Sequence, residues 1–283
     1  MKTYCDLHTH SAYSDGTWMP AELIAEAEKI GLSAIALTDH NTVAGLPEFF
    51  RAAQGKNVEA IGGVELSTDY GEVELHIVGL FIQEKHFDEV TKVVTELTQR
   101  KEASNRKLCD DLRQGGYDVD LDEIKAKTPR GHINRAHIAS ALVEKGYVQS
   151  IGEAFATLLS KNGGFYNQPK RLDVFETIAW LDKIGCVSVL AHPFEELDEA
   201  ALRVFLQKAK PYGLHGMETE YAKYNIETVQ KLKEIAKDFH LKESGGSDFH
   251  GDRRKGTYLG IGQGNLRVPH QFMESLRAER KEG

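Results

Sequence analysis

Apolar residues in this chain recur with two periods that alternate along its length. Runs rich in Val, Ile, Leu and Ala at 3–7, 34–38, 58–66 and 73–82 have the length and composition of strands. Between them, 20–30 and 43–54 carry apolar residues at helical spacing. Pro20 stands in the first turn of its helix, where a missing N–H costs nothing. The run at 73–82 is apolar on both faces, as suits a buried strand. This alternation predicts an α/β protein built on a largely parallel sheet or barrel.

The pattern then changes. Phe87, Val90, Val94 and Leu97 recur at helical spacing, and the helix they begin runs to Leu112 before Gly115-Gly116 stops it. From there to Pro169 the chain shows short helical segments and little strand signal, which reads as an inserted helical subdomain. Alternation resumes with helices at 173–184, 198–208 and 225–239 and strands at 186–191, 214–219 and, last, 241–245. The expected organisation is a barrel in two parts, 1–100 and 170–283, interrupted by a helical cap at 101–169. The charged tail at 277–283 is expected to be solvated.

Composition narrows the class. At 283 residues, 41% apolar and 28% charged, the chain can bury a full core. A formal charge of −8 argues against a surface that coats duplex DNA, which needs a basic field. Cys5, Cys109 and Cys186 are odd in number and widely spaced, so they read as buried thiols in a reducing compartment. No apolar run approaches a membrane span, and motif residues from Asp6 leave no room for a signal peptide. The expected location is the cytoplasm.

The candidate chemistry lies at the strand ends. Asp6-Leu7-His8-Thr9-His10 with Ser14-Asp15-Gly16 is the first of five clusters. The others are Thr38-Asp39-His40, Gly63-Val64-Glu65, Ala191-His192-Pro193 and Ser247-Asp248-Phe249-His250, with His76 alone between Glu65 and His192. His8 and His10, two residues apart, project from one face of an extended strand. The C-terminal rim of an α/β barrel is where such residues build active sites. His8, His10, Asp15, His40, Glu65, His76, His192, Asp248 and His250 are more ligands than one tetrahedral ion can use. Carboxylates such as Glu65 and Asp248 can bridge, so the set points to two or three divalent ions. Imidazole and carboxylate without Cys suit Mn, Zn or Fe(II).

Each member also has a plainer reading. His76, in the apolar Leu75-His76-Ile77, could be a core histidine, and Asp15 could serve only a Ser-Asp-Gly turn. Asp39 is expected to hold a neighbouring histidine's tautomer instead of ligating.

These clusters resemble the PHP (polymerase and histidinol phosphatase) superfamily of metal-dependent phosphoesterases, from the first strand to His250. Leu37-Thr38-Asp39-His40, the run from Glu74 to Leu80 and Arg130-Gly131-His132 to Arg135 look most like its TrpH/YciV-type bacterial subfamily. Members of that subfamily hydrolyse nucleoside 3′,5′-bisphosphates, and some act as 5′-to-3′ exoribonucleases on short 5′-phosphorylated RNA. The resemblance implies a distorted (β/α)7 barrel with a helical insertion. It further implies a first ion on His8, His10, Glu65 and Asp248, a second on Asp15, His40 and His250, and a third on Glu65, His76 and His192. Asp15 stands where many PHP proteins carry histidine, and the resemblance implies that a harder oxygen ligand there either weakens the second site or favours Mn over Zn.

The expected reaction is hydrolysis of a small phosphorylated substrate, a nucleotide or short RNA, by metal-bridged hydroxide attack on phosphorus. Asp248 and His250 are the catalytic candidates, with Asp248 orienting the nucleophile. Arg130, His132 and Arg135 are candidate phosphate contacts, with Lys161 beside Asn162-Gly163-Gly164 a further one. Arg253-Arg254 reads as rim charge. Alternatives are a histidinol-phosphate phosphatase, which shares the ligand set, and a metal-binding scaffold without catalysis, which missing ligands would betray.

Overall fold

A computed structural model describes residues 4–128, 133–160, 163–166 and 170–281. The chain divides into two compact units, Met1–Val93 with Arg171–Gly283, and Val94–Lys170.

In the first unit, β1 (Tyr4–Asp6), α1 (Pro20–Lys29), β2 (Ala34–Leu37), α2 (Leu46–Ala53) and β3 (Glu59–Tyr70) follow the predicted alternation. β1 and β2 pair in parallel, as do β2 and β3. β4 (Val73–Leu80) breaks that pattern by running antiparallel to β3, with Tyr70 opposite Val73. Only Gly71 and Glu72 separate the two strands, and a two-residue connection can make a hairpin but not a crossover. Gly71 supplies the positive φ (61°) that the turn needs. The largely parallel sheet expected from sequence is therefore a mixed one at this point. The reversal also explains why His76 lies inside its strand, opposite Ser67, instead of beyond a C-terminal end.

After α3 (Phe87–Gln114), which runs on into the second unit, come α4 (Leu121–Lys127), α5 (Arg135–Glu144) and α6 (Ile151–Ala156). Asp120, Asn134 and Ser150 cap their N-termini through side-chain bonds to main-chain N–H groups. This helical unit has its own core, including Leu108, Leu112, Leu121, Ile138 and Leu142.

The first unit resumes with β5 (Leu172–Asp173), α7 (Val174–Lys183), β6 (Val187–Leu190), α8 (Glu199–Ala209), β7 (Gly216–Tyr221), α9 (Ile226–Asp238) and β8 (Lys242–Gly246). β6 pairs antiparallel with β4, and β6–β7–β8 are parallel. Residues just past β1 and β8 then meet. Leu7 N donates to Gly245 O (3.1 Å), Asp248 N to His8 O (2.9 Å) and His10 N to Phe249 O (2.9 Å). The sheet thus curls into a nearly closed barrel whose seam lies between the first and last motifs. Cys5, Leu7, Ala34, Ala36, Ile61, Val78, Leu80, Val187 and Val189 pack in the core that this closure buries.

Two sequence expectations need correction. β8 is not the last strand, because β9 (Val268–Pro269) pairs antiparallel with β1 and leads into α10 (His270–Arg277). Two residues are too short to show a period. Nor is the charged tail simply solvated: Arg277 pairs with Glu59, Lys281 with Asp182, and Arg277 and Arg280 lie over the Phe81 ring. Charge in a tail does not by itself mean exposure, because arginine covers apolar surface well. Among the described residues, no helix is long and apolar enough to cross a membrane.

The seam needs a residue without a side chain at Gly246. A Cβ there would overlap the His8 Cβ and come within 2.5 Å of the His8 main-chain nitrogen. Gly246→Ala should therefore cost about 1–3 kcal/mol, as overpacking typically does. Thermal unfolding checks it, and a transition at the wild-type temperature would show that the seam tolerates the methyl group.

Candidate metal centre

Barrel closure brings the sequence-predicted ligands together. His8 and His10 leave β1 along the seam, Asp248 and His250 leave β8 beside them, and Glu65 projects from β3. His40 bridges to Glu65 in parallel register just past β2. Glu65 lies at the centre. Its Oε2 is 3.2 Å from His8 Nε2, 3.2 Å from His10 Nε2 and 3.1 Å from His40 Nδ1. Its Oε1 is 2.8 Å from His76 Nδ1 and 3.1 Å from His192 Nε2.

Asp248 Oδ1 faces the same space, 3.2 Å from His10 Nε2 and 3.8 Å from His8 Nε2. On the far side of His10, Asp15 Oδ1 lies 3.3 Å from His250 Nε2 and 3.8 Å from His10 Nδ1. Three groups of donor atoms are compact enough to share an ion. They are His8, His10 and Glu65; His40, Glu65 and His76; and His10, Asp15, His40 and His250.

Whether such atoms suit a cation can be judged from their bonding. His8 Nε2, both ring nitrogens of His10, Glu65 Oε2, His76 Nδ1 and His250 Nε2 are buried and make no hydrogen bond. They approach carboxylate oxygens closely, yet they do not aim at one another. Buried polar atoms left so are costly, and groups of donor atoms within 4.8 Å of one another are what a divalent ion satisfies.

A second ring fixes this arrangement. Glu218 of β7 accepts from His8 Nδ1 (2.7 Å) through Oε1 and from His192 N (2.7 Å) through Oε2. The first bond sets the tautomer that leaves His8 Nε2 facing inward. Sequence reading missed Glu218, which sits in Met217-Glu218-Thr219 with no motif around it. The sequence offered no signal, because β7 reads Gly-Met-Glu-Thr-Glu-Tyr and Glu218 is indistinguishable there from Glu220. Asp39, expected in that role, does something else. It accepts from Ser11 N (2.7 Å), Ser11 Oγ (2.6 Å) and Ser14 Oγ (2.5 Å), and so anchors the loop that carries Asp15. Asp15 therefore belongs both to a turn, where Gly16 N donates to Ser11 O (2.9 Å), and to the cage.

Arg254 is not simply rim charge either. Its guanidinium pairs with Asp248 Oδ2, to which the Tyr221 hydroxyl also donates (2.8 Å). Of the candidate phosphate contacts, Arg130, His132 and Lys161 lie outside the described residues. Arg135 opens α5 in the helical unit, with its guanidinium 4.1 Å from the Tyr166 ring centre and 5.4 Å from that of Phe155.

Electrostatics follow from burial and mutual charge. Burial opposes ionisation of Glu65, but His40, His8 and His76 hold its carboxyl well below the usual range. Asp248 is likewise held low against burial by His10 and His8. Burial also opposes a charged His10, yet Asp248 and Glu65 raise it to about 9. Glu65 and Glu74 raise His76 to about 10 against the same penalty. For His40 burial wins and takes the imidazole down to about 3.

Comparison with known proteins bears on the family and the fold. The PHP domain profile matches residues 6–167. A 5′-3′ exoribonuclease of Haemophilus influenzae is 34% identical over 87% of this chain and 89% of its own. A 3′,5′-nucleoside bisphosphate phosphatase of Chromobacterium violaceum is 26% identical, with 90% of each chain covered. Among solved structures, a candidate metal-dependent phosphoesterase of Bifidobacterium adolescentis superposes with a TM-score of 0.77. It is 25% identical and is covered over 96% of its length by 98% of this chain.

The raised imidazoles make metal uptake a proton-releasing event. With pKa values of about 9 and 10, His10 and His76 of the metal-stripped protein hold protons at pH 7, and an ion must displace them. Mn²⁺ or Zn²⁺ affinity should thus fall as pH falls, and calorimetry in buffers of different ionisation enthalpy should report protons released. No buffer dependence would contradict this. Glu218→Gln should weaken metal affinity about 10–100-fold, the usual cost of losing such a supporting carboxylate. Unchanged affinity in the same titration would remove Glu218 from the cage.

Proposed function

We propose that this chain, which belongs to the PHP domain family, is a metal-dependent phosphoesterase. Its substrate in this reading is a phosphate ester of a small nucleotide, such as a nucleoside 3′,5′-bisphosphate, or a 5′-phosphorylated short RNA end. The observation that carries the reading is the division of Glu65: one oxygen faces His8, His10 and His40, the other His76 and His192. A carboxylate approached on both oxygens is suited to bridge two ions. Shared ions are what hydrolysis needs and what simple storage does not. The names of the H. influenzae and C. violaceum relatives support nucleotide and RNA-end esters as the substrate class.

In this reading His8, His10, Glu65 and Asp248 hold one ion, Asp15, His40 and His250 a second, and Glu65, His76 and His192 a third. The donor set suits Mn, Zn or Fe. Bound divalent ions lower the pKa of water and offset charge on phosphoryl oxygens. The chain's own contribution is orientation. Tyr221 and Arg254 hold Asp248 Oδ2, so the carboxylate cannot turn and Oδ1 stays aimed at the reaction space. His250 Nδ1 donates to Asp248 O (2.8 Å), which leaves Nε2 towards Asp15. The free, buried thiols of Cys5, Cys109 and Cys186 support a reducing, cytoplasmic location.

Purified protein with Mn²⁺ should release phosphate or nucleotide from a nucleoside 3′,5′-bisphosphate or from short 5′-phosphorylated RNA. Asp248→Asn and His10→Ala should each lower turnover by roughly 100-fold or more, with far-UV circular dichroism unchanged. Turnover of histidinol phosphate alone would redirect the substrate class. A full rate in either variant would sink the site.

A further inference from the structure

Beside the metal cage, a cleft of about 660 Å³ runs between α1 and the loop that follows His250. Its walls include Trp18, Ile30, Phe249, Arg254, Tyr258 and Leu259. We propose that this cleft is a nucleoside subsite that takes the flat base of the substrate, with Arg254 joining it to Asp248. The inference rests on the phosphoesterase reading above and deepens it.

The cleft is connected to the cage by covalent and hydrogen-bonded structure. Phe249 lies between Asp248 and His250 in sequence, and its ring meets Trp18 edge-on at 5.0 Å. Arg254 both lines the cleft and pairs with Asp248 Oδ2. Only its Nη1 is engaged there. Nε and Nη2 bond to no other described residue, and the side chain is 39% exposed. Free N–H groups on a guanidinium at the mouth of the cleft suit a phosphoryl oxygen attached to the nucleoside within it.

The walls suit an aromatic heterocycle better than a bare sugar-phosphate. Tyr258 is 60% exposed and Ile30 43%, so apolar surface faces water here. Among the described residues, the Trp18 indole N–H and the Tyr258 hydroxyl have no hydrogen-bond partner, which leaves donors for the edge of a base. Charge on the walls balances: Arg254 and Lys255 stand against Asp252 and Glu26, and Glu26 is already paired with Lys29 at 2.8 Å. Such a neutral slot recognises an uncharged ring by stacking and apolar contact.

The loop is also held firmly enough to present these groups. Asp252 N donates to Thr17 Oγ1 (2.9 Å), next to Trp18. A Cβ on Gly251 (φ 65°) would overlap Thr17 Oγ1 and lie 2.9 Å from Trp18 Cδ1, so only glycine lets the loop close on that wall. Tyr258 and Gly262 exchange main-chain bonds of 2.8 and 2.9 Å, which fixes the turn that carries the tyrosine.

The test uses the full chain loaded with Mn²⁺. Trp18 and Trp180 are its tryptophans, and Trp180→Phe leaves Trp18 as the sole indole reporter. Adenosine 5′-monophosphate should quench its emission saturably, whereas ribose 5-phosphate, which lacks a base, should not. Short 5′-phosphorylated RNA forms a third arm, and quenching by RNA alone would assign the same base chemistry to a strand end instead of a mononucleotide. Tyr258→Ala should weaken the quenching ligand roughly 5–150-fold, the range of one lost stacking partner. It should also narrow the KM gap between a nucleoside 3′,5′-bisphosphate and ribose 5-phosphate. No saturable quenching, equal quenching by ribose 5-phosphate, or unchanged affinity in Tyr258→Ala would overturn the subsite. If turnover persists without quenching, the subsite alone fails. If quenching occurs without turnover of any ester, the phosphoesterase reading alone fails.

Discussion

Glu65 is a fully buried carboxylate in the wall of a barrel, and its burial would be prohibitive without compensation. Compensation comes from imidazoles on both of its oxygens, delivered by β1, the turn after β2, β4 and the turn after β6. None of those elements is near another in sequence. The rest of the unit can be understood as the scaffold this one group requires. The β3–β4 hairpin puts His76 opposite Ser67, two residues along β3 from Glu65. The seam between β1 and β8 brings Asp248 to the histidines that already face Glu65. Any change that opens the seam separates the two carboxylates, so fold stability and site geometry are one constraint.

That constraint is visible as local strain. Asn41, His192 and Asp248 adopt positive φ values of 49°, 28° and 52°, which non-glycine residues avoid. All three are cage residues or direct neighbours of one. Strain of this kind costs about 1–3 kcal/mol per residue and persists only where surrounding bonds overdetermine it. The bonds are present: Glu218 holds His192 N, Asn41 exchanges bonds with Ser67, and Tyr221 and Arg254 hold Asp248.

Much of this was legible in the sequence, for a physical reason. Strand and helix periods are local, so β1, α1, β2 and α7 to β8 could be read within a residue or two of their bounds, whereas α2 starts three residues later and β3 runs four residues further than read. Histidines and acids at strand ends stood out because they interrupt apolar runs. Three kinds of feature escaped. β9 is too short to show a period, and its pairing with β1 spans the whole chain. The direction of β4 depended on reading Gly71-Glu72 as a complete connection. Glu218 and Arg254 act only through partners that folding supplies, His8 and Asp248, and neither sequence neighbourhood marks them. Asp39 misled for the opposite reason: its place beside His40 suggested a bond to a ring, whereas the serines across the loop reach it first.

The same electrostatics bear on how such a site meets an anionic ester. The protein carries a formal charge of −8, and Asp15, Glu65, Asp248 and Glu218 concentrate negative charge at the cage. Arg254 pairs with Asp248, and the charged His10 and His76 lie against Glu65, so these acids are already partly offset. By itself, then, the cage has little net charge with which to draw in a phosphate. Divalent ions would make the local field positive while leaving the formal charge of the protein's surface acidic. An ester would then be drawn to the cage more strongly when the cage is loaded. Metal occupancy and substrate capture are thereby coupled through the same buried carboxylates.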